Sequence, residues 1–573
     1  MPLLSRILER RLQDAFDTVL LGADPVLRPS DRADFQANGA LALAKELGRP
    51  PREVAEEIVA VASLDDLCSE VEVSGPGFIN LTLSDEFIAR QVAVVSADDR
   101  LGVELAAVPE RVIVDYSAPN VAKEMHVGHL RSTLIGDALA RVLGFLGHEV
   151  QRENHIGDWG TPFGMLIEHL LDVGGAENAE SFSVRDLNEF YAAARQQFDT
   201  DPVFVERSRR RVVLLQGGDA ETLRLWRIFV GESMRHAREV YELLGVLLTD
   251  DDVVGESFYN PLLPVVVEEL RAKGLLVEDD GALCVFPEGF ENRNGQPLPL
   301  IVRKSDGGYG YPATDLASLR DRTERLGATR LLYVVGAEQS LHLRLVFAVG
   351  VLAGYLPVLT AAEHVAFGLV LGTDGKKLAS RSGGSERLVD LLQEGIDRAE
   401  AALKERSSDL SPEQQAAVAH ALGVGAVKYA DLSTERTRDY VFDWERMLAF
   451  EGDTGPYLQY AHARIRSIFR RGEVEPPAPG TPPLLGEPPE RALALHLLRF
   501  AESVEATAAT SSPSKLCAYL FDLATVFTTF YESCRVLVAD DEVRTSRLEL
   551  SDCTARVLEQ GLSLLGMEAP EQM

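Results

Sequence analysis

The sequence predicts a multidomain fold in which an N-terminal α+β module precedes a doubly wound parallel α/β domain and a C-terminal all-α domain. Its 573 residues suit three or four domains at about 150 residues each. A strand–loop–helix–strand pattern that begins at Arg111 is typical of the βαβ unit of a parallel sheet. From about residue 390 onwards, apolar residues recur almost entirely with helical period. The predicted parts are residues 1–108, residues 109–390 with a mixed insertion at about 170–300, and residues 391–573.

Composition and charge exclude several classes of protein. The hydrophobic share of 46% and the charged share of 25% are those of folded globular domains, so intrinsic disorder is excluded. With 57 Lys and Arg against 89 Asp and Glu, the formal net charge is −32. This acidic excess argues against a protein that binds polyanions over its whole surface, although local basic patches remain compatible with it.

Cysteine usage and hydropathy indicate a soluble protein of the cytosol. The five cysteines are scattered without CxxC spacing, which favours reduced buried thiols over a zinc site or a disulfide framework. Residues 345–362 carry no charge, but Gly350, Gly354 and Pro357 interrupt them. We interpret this stretch as a buried helix that leads into a buried strand, and not as a membrane span.

In the N-terminal module, apolar residues at every fourth position predict one helix with an apolar stripe: Leu4, Leu8, Leu12, Phe16 and Leu20. Further along, the alternating segment EVEVSGPGFINLTLS predicts two strands joined by a Gly-Pro-Gly turn. A helix followed by a small sheet indicates a compact α+β unit.

The central domain is predicted from the order of its strands and helices. RVIVDYS reads as a strand, HVGHLRSTLIGDALARVLGFLG as a long helix, and HEVQREN as a second strand. We assign LPLIVR, RLLYVVG and HVAFGLVLG to the second half of the same doubly wound sheet. In the helical C-terminal part, the proline-rich segment EVEPPAPGTPPLLGEPPE is predicted to be an exposed loop between two helices.

The segment HVGH marks the first candidate site. His126 and His129 fall on one face of the first turn of the long helix, and Gly128 between them leaves room for a ligand. The free N–H groups and the dipole of a helix N-terminus attract phosphate. With Asn120 and Lys123 upstream, this junction is predicted to stabilise negative charge on an α-phosphate under attack.

A basic loop, LGTDGKKLASRSGG, marks the second candidate site. Lys376, Lys377 and Arg381 lie between glycines, so these cations can move onto a pyrophosphate leaving group. Taken alone, the loop also fits an ordinary solvated surface loop.

Together the two segments resemble a known pair of motifs. HVGH resembles the HIGH motif, and Lys377–Leu378–Ala379–Ser380–Arg381 resembles a degraded KMSKS motif, of class I aminoacyl-tRNA synthetases. The stretches around them are similar to those of arginyl-tRNA synthetases: DYSAPNVAKEMHVGHLRST, NHIGDWGTPFG, RKSDGGYGYPATDLA, YVVGAEQSLH and KYADLSTERTRDYVFDWERMLAFEGDTGPYLQYAHAR. The resemblance runs in order from DFQANGALALAKELG to Met573.

The resemblance implies a Rossmann-like catalytic domain, a C-terminal anticodon-binding bundle and an N-terminal module that touches the tRNA elbow. It implies that arginine reacts with ATP, as its Mg²⁺ complex, to form arginyl-adenylate, and is then transferred to the terminal ribose of tRNA. A cytoplasmic monomer is expected, with no resident metal. The implied catalytic residues are Lys123, His126, His129, Lys377 and Arg381, and the implied ATP-binding residues are Lys123, His126, Gly128, His129, Gly336, His342, Lys376 and Lys377.

For the amino acid, the resemblance implies that Tyr311, Asp315 and Gln339 hold the guanidinium group, while Asn120 and Glu256 hold the α-amino and carboxylate end. A carboxylate facing the planar guanidinium fork forms charge-assisted hydrogen bonds that contribute about 1.5–3 kcal/mol each. The tRNA contacts that the resemblance implies are Tyr457, Ala461, Tyr531 and Met573 in the helical domain, and Phe35, Gln36 and Asn38 in the N-terminal module.

Two positions depart from the family pattern. Ser380 stands where the second motif has its second lysine, and Lys123 resembles the upstream lysine that compensates in arginyl enzymes. Ala118 stands where the family often has a serine, so one substrate contact is expected to be lost.

Two arginine clusters suit phosphate contacts with RNA, although solvated helix faces explain such clusters as well: Arg207, Arg209, Arg210 and Arg211, and Arg464, Arg466, Arg470 and Arg471. Two other functions stay open. One is a small-molecule adenylyltransferase, which also uses HxGH at this junction. The other is a synthetase-like paralogue that binds arginine or tRNA without supplying translation.

Overall fold

The fold was analysed in a computed structural model that describes residues 4–121, 124–174, 184–378, 387–405, 410–538 and 540–573. The N-terminal module contains four helices and four short strands within these ranges. Its elements are α1 (Leu4–Val19), β1 (Leu27–Pro29), β2 (Phe35–Ala37), α2 (Gly39–Leu47), α3 (Pro51–Val61), β3 (Cys68–Ser74), β4 (Phe78–Leu83) and α4 (Asp85–Ala97).

The N-terminal predictions are confirmed except at Leu20, which lies beyond the end of α1 and is only half-buried. Helix α1 buries Leu4, Leu8, Leu12 and Phe16, which is the predicted apolar stripe. Strands β3 and β4 form the predicted antiparallel hairpin within a sheet of order β1-β2-β4-β3.

The central domain is built on a four-stranded parallel sheet. Its elements are β5 (Arg111–Asp115), α5 (Leu130–Phe145), β6 (Glu149–Glu153), α6 (Thr161–Asp172), α7 (Val184–Thr200), α8 (Pro202–Gln216), α9 (Ala220–Leu244), α10 (Leu263–Ala272), β7 (Val277–Asp279), β8 (Ala282–Val285), β9 (Leu300–Arg303), α11 (Tyr311–Glu324), β10 (Arg330–Tyr333), α12 (Ser340–Ala353), β11 (Ala361–His364) and β12 (Val370–Leu371). The order β11-β10-β5-β6 confirms the predicted βαβ unit, since β5 pairs in parallel with β6 on one side and with β10 on the other.

Two strand assignments were wrong. Of the segment HVAFGLVLG, only His364 lies in the parallel sheet, as the end of β11, while β12 pairs with Tyr440 and Val441 in a separate two-stranded sheet. Strand β9 does not belong to the parallel sheet but to a separate antiparallel sheet of order β7-β8-β9. The reason lies in its burial, because Leu300 and Val302 are buried while Ile301 between them is exposed. Such alternation suits a sheet that is covered on one face, whereas β5 is buried on both faces, as parallel strands generally are.

The uncharged stretch 345–362 is only partly as predicted. Helix α12 ends at Ala353, where Gly354 takes the left-handed conformation, and it buries one face only. Val358 and Leu359 in the following loop are almost fully exposed, and β11 is a half-buried strand at the edge of its sheet. Among the described residues, no helix has the length and apolar character needed to cross a membrane.

The C-terminal part is helical, as predicted. Its elements are α13 (Leu388–Glu405), α14 (Pro412–Ser433), β13 (Tyr440–Val441), α15 (Trp444–Met447), α16 (Gly455–Gly472), α17 (Pro488–Leu497), α18 (Phe500–Thr510), α19 (Ser514–Ser533) and α20 (Asp541–Leu564). The proline-rich segment joins α16 to α17, and the backbone N–H of Gly480 in it donates to Ser96 Oγ at 3.0 Å. The loop therefore also ties the helical domain to the N-terminal module.

Helix α5 approaches the end of β5 so closely that its middle residue must be glycine. A Cβ atom at Gly136 would lie 2.3 Å from Cβ of the buried Tyr116, whereas one at Gly144 in the same helix would meet nothing within 4 Å. The close contact fixes how α5 sits on the sheet, and with it the position of HVGH at the start of the helix.

We expect Gly136→Ala to destabilise the protein by about 1–3 kcal/mol, because overpacking forces the helix away from the sheet. Gly144→Ala is the matched control, and it should be neutral or stabilising by up to about 1 kcal/mol through helix propensity. Thermal unfolding followed by circular dichroism compares the two. Equal melting temperatures for both variants would show that the close contact is not restrictive.

Candidate active site

The turn after β5 sets the position of the first candidate residues. Ser117 and Ala118 both have positive φ angles, +70° and +46°, which non-glycine residues adopt at a cost of about 1–3 kcal/mol each. The turn is held by hydrogen bonds from Ser117 N to Ser132 Oγ (2.9 Å) and from Ala118 N to Asn154 Oδ1 (3.0 Å). Asn120 is thereby presented, exposed, at the carboxyl end of the sheet.

A buried tyrosine of the insertion supports the same turn. The hydroxyl of Tyr241 on α9 lies 2.7 Å from Ser117 Oγ and accepts a hydrogen bond from Asn154 Nδ2 at 2.9 Å. Ala118 takes part in this network through its backbone N–H, so its lack of a hydroxyl removes none of these hydrogen bonds. The insertion thus contributes directly to the shape of the loop that leads to HVGH.

The two histidines of HVGH lie against each other, with ring centroids 4.2 Å apart. Nδ1 of His126 accepts from the N–H of Gly128 at 3.0 Å, and Nδ1 of His129 accepts from the N–H of His126 at 3.1 Å. Because Nδ1 is the acceptor in both rings, the proton of each neutral ring is on Nε2. Both rings therefore carry a donor of the kind that binds a phosphate oxygen.

Gly128 has a structural role that differs from the predicted one. A Cβ atom there would lie 2.6 Å from Cε1 of His126, so the glycine makes room for the imidazole ring. The residue is exposed, and its backbone N–H is the donor to Nδ1 of His126.

The predicted arginine pocket is acidic. Asp315, on the first turns of α11, forms a short hydrogen bond with Nε2 of His342 on α12. The resemblance had linked His342 to ATP, but its described partner is this carboxylate. Gln339 is exposed in the 3₁₀ turn Ala337–Gln339 that follows β10, and the Tyr311 side chain is 72% exposed.

Glu256 interacts electrostatically with Asp315 and with a third carboxyl group, that of Asp158. Burial, followed by repulsion from Asp158 and Asp315, raises the pKa of Glu256 to about 8. Asp158 is itself buried, its pKa is raised by burial, and it accepts from the N–H of Ser257 (2.9 Å) and from its hydroxyl (2.6 Å). The pocket is thus prepared for a positively charged ligand.

Asp158 was missed in the sequence analysis. It belongs to the stretch NHIGDWG, which follows β6, and an acidic side chain just past the end of a parallel strand was the available signal.

The lysine loop forms a tight hairpin beside the second half of the sheet. After β12, the N–H of Gly372 donates to the carbonyl of Lys376 at 2.7 Å, and the N–H of Leu378 donates to that of Val370 at 3.0 Å. Both Lys376 and Lys377 are exposed. Gly336 lies nearby in the fold, since it forms a β-bridge with Phe367. Lys123 and Arg381, the other predicted cations, lie outside the described residues.

Three of the predicted tRNA contacts lie on neighbouring helices α16 and α19. The ring of Tyr457 packs 5.8 Å from that of Phe521, and the guanidinium of Arg464 lies 4.5 Å above the ring of Tyr531. Ala461, one turn from Tyr457, is buried. Met573 packs against a small apolar cluster of α13 and α14, and the residues before it are bound to α16, where His462 Nδ1 lies 2.9 Å from the carbonyl oxygen of Pro570.

The predicted contacts of the N-terminal module are less accessible. Phe35 is 3% exposed and belongs to the apolar core. Gln36 Nε2 donates to Asn80 Oδ1 at 2.7 Å, and Asn38 precedes α2 with its Oδ1 buried. Of the three, Gln36 and Asn38 are half-buried side chains and Phe35 offers no open ring face.

Several arginines of the two clusters are paired with acidic residues within the protein. Arg207 pairs with Asp172, Arg211 pairs with Glu168 at 2.7 Å, and Arg466 pairs with Asp552 at 2.8 Å. These arginines therefore serve contacts between helices, which the sequence analysis had not anticipated.

Comparison with known proteins accounts for nearly the whole chain. Residues 91–444 match the family model described as tRNA synthetases class I (R), catalytic domain, and residues 458–573 match the DALR anticodon binding domain. Residues 3–83 match the Arginyl tRNA synthetase N terminal domain.

Individual relatives agree with these models. The Arginine--tRNA ligase of Thermobifida fusca is 56% identical, with 99% of each chain covered, and that of Cellvibrio japonicus is 47% identical with the same coverage. Among solved structures, the arginyl-tRNA synthetase of Plasmodium falciparum superposes with a TM-score of 0.87 at 29% identity, and that of Thermus thermophilus with 0.83 at 28%. Both structural matches cover 100% of each chain. On its sequence, its three matched domains and its fold, this chain belongs to the arginyl-tRNA synthetase family.

Proposed function

We propose that this protein is an arginine–tRNA ligase, which activates arginine with ATP and transfers it to the terminal ribose of its cognate tRNA. The observation that carries the proposal is the acidic pocket of Asp158, Glu256 and Asp315. Asp158 follows β6 and the histidine pair follows β5, so both lie at the carboxyl edge of the parallel sheet. A pocket for a cationic amino acid next to a phosphate-binding helix start suits arginine activation.

Arginine has two cationic groups, and the pocket offers carboxylates for both. In the proposal the guanidinium fork faces Asp315, with Tyr311 and Gln339 beside it, and the α-ammonium group faces Glu256, with Asn120 near the carboxylate. His342 orients Asp315 through its short hydrogen bond. Lysine would leave acceptors of the pocket unpaired, because its side-chain ammonium group lacks the planar fork of donors that a guanidinium presents.

Adenylate formation needs no side-chain base, because the attacking carboxylate of arginine is already ionised. His126 and His129 donate from Nε2 to the α-phosphate as its negative charge increases. Lys376 and Lys377, together with Lys123 and Arg381, attract the departing pyrophosphate. The role of the two lysines rests on their exposed place in the hairpin after β12.

Magnesium enters the proposal as part of the Mg²⁺–ATP substrate. Within the described ranges no three His, Cys, Asp or Glu side chains are grouped so that they could hold a metal ion. In the proposal the ion is held chiefly by the triphosphate, as is usual for nucleotide-bound Mg²⁺, and it neutralises part of the phosphate charge.

In the second step the terminal ribose of tRNA attacks the adenylate, through its 2′-OH if the class I pattern holds. We propose that Tyr457, Ala461, Tyr531 and Met573 contact the anticodon region, and that Gln36 and Asn38 lie near the tRNA elbow. A monomer in the cytoplasm completes the proposal, and five buried cysteines without disulfides suit a reducing compartment.

The function is tested by AMP formation. The purified protein should release AMP only when arginine, ATP and the arginine-accepting tRNA are all present, and it should esterify that tRNA. ATP turnover on another acceptor without tRNA charging would favour a small-molecule adenylyltransferase. Binding of arginine or tRNA without turnover would favour a non-catalytic paralogue.

We expect Asp315→Ala to raise the KM for arginine by about 100-fold or more, because a buried guanidinium loses charge-assisted hydrogen bonds. The KM for ATP should change by less than about threefold, since the two ligands bind different groups. Steady-state charging kinetics measure both constants. Equal losses for arginine and ATP would contradict the assignment of the pocket.

The raised pKa of Glu256 predicts that arginine binding releases a proton. With a pKa of about 8, Glu256 is mostly protonated at pH 7 in the free protein, and the α-ammonium group of arginine favours the carboxylate. Affinity for arginine should therefore rise as the pH approaches 8. Isothermal titration calorimetry in buffers of different ionisation enthalpy should detect about 0.9 proton released at pH 7.

Two variants make this measurement specific. Glu256→Gln should abolish the release, while substitution of the exposed Glu338 by Gln should preserve it. Undiminished proton release in Glu256→Gln would mean that another group titrates.

Tyr531 tests the anticodon contact. We expect Tyr531→Ala to raise the KM for tRNA by about 5- to 150-fold, the equivalent of about 1–3 kcal/mol of base stacking. Tyr531→Phe, which keeps the ring, should retain most of the affinity. Charging kinetics at varied tRNA concentration provide the measurement, with arginine binding as the internal control, and an unchanged KM in Tyr531→Ala would remove this residue from the interface.

A further inference from the structure

Two oppositely charged side chains that the proposed mechanism does not use are completely buried between the catalytic and helical domains. Arg131, on the first turn of α5, and Asp431, on α14, are 1% and 0% exposed. Nε of Arg131 lies 3.3 Å from Oδ2 of Asp431. Arg131 follows His129 by only two positions, so its anchoring constrains the start of α5.

The other contacts of Arg131 extend to the segments that carry the lysine hairpin. Its Nη1 donates to the backbone carbonyl of Arg438 at 2.8 Å. Its guanidinium carbon lies 5.4 Å from the ring centre of Tyr440 and 5.9 Å from that of Phe367. Both rings are buried, so the guanidinium fills the space between them.

Tyr440 and Phe367 each connect to a phosphate-binding element of the proposal. Tyr440 belongs to β13 and pairs in register with Val370 of β12, directly before the hairpin of Lys376 and Lys377. The carbonyl of Phe367 accepts from Ala337 N at 3.1 Å, beside Gly336. The guanidinium of Arg131, which is carried by α5, thus contacts α14, β13 and the segment that precedes the lysine hairpin.

Stability alone is a weak reason for such a pair. Burying two ions costs several kcal/mol of desolvation each, and well-packed apolar residues of similar volume are often as stabilising or more so. The fork geometry of arginine, in contrast, fixes distance and direction at several partners at once. A buried pair at this junction is therefore better explained by the geometry that it imposes.

We propose that Arg131 and Asp431 are a positioning pair, which sets the placement of the histidines of HVGH relative to the lysine hairpin and links both to α14 of the helical domain. The inference rests on the proposed function, in which histidines and lysines act on the same triphosphate. Misplacement of reacting groups by about 1 Å costs on the order of 100-fold in rate. The pair should therefore influence adenylate formation much more than arginine binding.

The test compares Arg131→Lys, Asp431→Asn and an apolar double variant, Arg131→Met with Asp431→Leu. In arginine-dependent ATP–pyrophosphate exchange with tRNA present, each should lower kcat by about 100-fold and change the KM for arginine by less than about threefold. The apolar double variant should recover the melting temperature without recovering the rate. If the pair had a structural role alone, kcat would recover together with the melting temperature.

The matched control is Arg547→Lys. Arg547 forms a largely buried ion pair with Glu490 at 2.7 Å inside the helical domain, and it also donates to the carbonyl of Arg535, so its contacts are far from both motifs. This variant should change stability and leave kcat within about twofold of the unmodified protein, as expected for a distant site.

Hydrogen exchange separates this inference from the proposed function. Amides of residues 368–378 should exchange about tenfold faster or more in Arg131→Lys and in the apolar double variant than in the unmodified protein. An unmodified protein that forms no arginyl-adenylate would overturn the proposed function, while faster exchange would still support the positioning role. Full recovery of kcat in the apolar double variant, or unchanged exchange in both variants, would overturn the pair.

Discussion

The candidate site depends on one electrostatic conflict, the burial of Glu256 close to the carboxyl groups of Asp158 and Asp315. Burial disfavours the charged form of Glu256, and repulsion from the other two carboxyl groups adds to this effect, so the pKa of Glu256 rises to about 8. Positive charge on a bound ligand counteracts both effects. Under the proposed function, the α-ammonium and guanidinium groups of arginine supply this charge, and ligands that lack such groups do not.

The candidate site depends on the parallel sheet, which brings its residues to one edge. The parallel strands β5, β6 and β10 end side by side, and the loops that follow them carry Asn120, Asp158 and Gln339. The strained turn at Ser117 and Ala118 bends the first of these loops, and its hydrogen bonds to neighbouring elements make the unfavourable φ angles tolerable. Rigid packing beneath the site, as at Gly136, then keeps the histidine pair in place.

The strong negative charge and an RNA partner are compatible because charge is distributed unevenly. Acidic residues neutralise several of the arginines that the sequence places in clusters, as the pairs of Arg207, Arg211 and Arg466 show. In the proposed function, individual aromatic rings and cations such as Tyr531 and Arg464, which lie against each other, contact the tRNA. Binding of this kind depends more on stacking and fit than on a broad positive field.

The sequence by itself determined the elements whose signals are local. The apolar stripe of α1, the hairpin around the Gly-Pro-Gly turn, the βαβ unit at Arg111 and the HVGH junction all follow from periodicity over a few residues, and the family followed from motifs in order. Most of the pocket residues were named from that resemblance.

Only the tertiary structure decided what depends on contacts between distant segments. The antiparallel setting of β9, the pairing of His342 with Asp315, the contribution of Asp158 and the burial of Arg131 against Asp431 join residues far apart in the chain. Periodicity does not record which faces meet, and a charged residue in a sequence looks the same whether it is solvated or enclosed. Burial and partner identity arise from packing, so they could not be predicted before the fold was known.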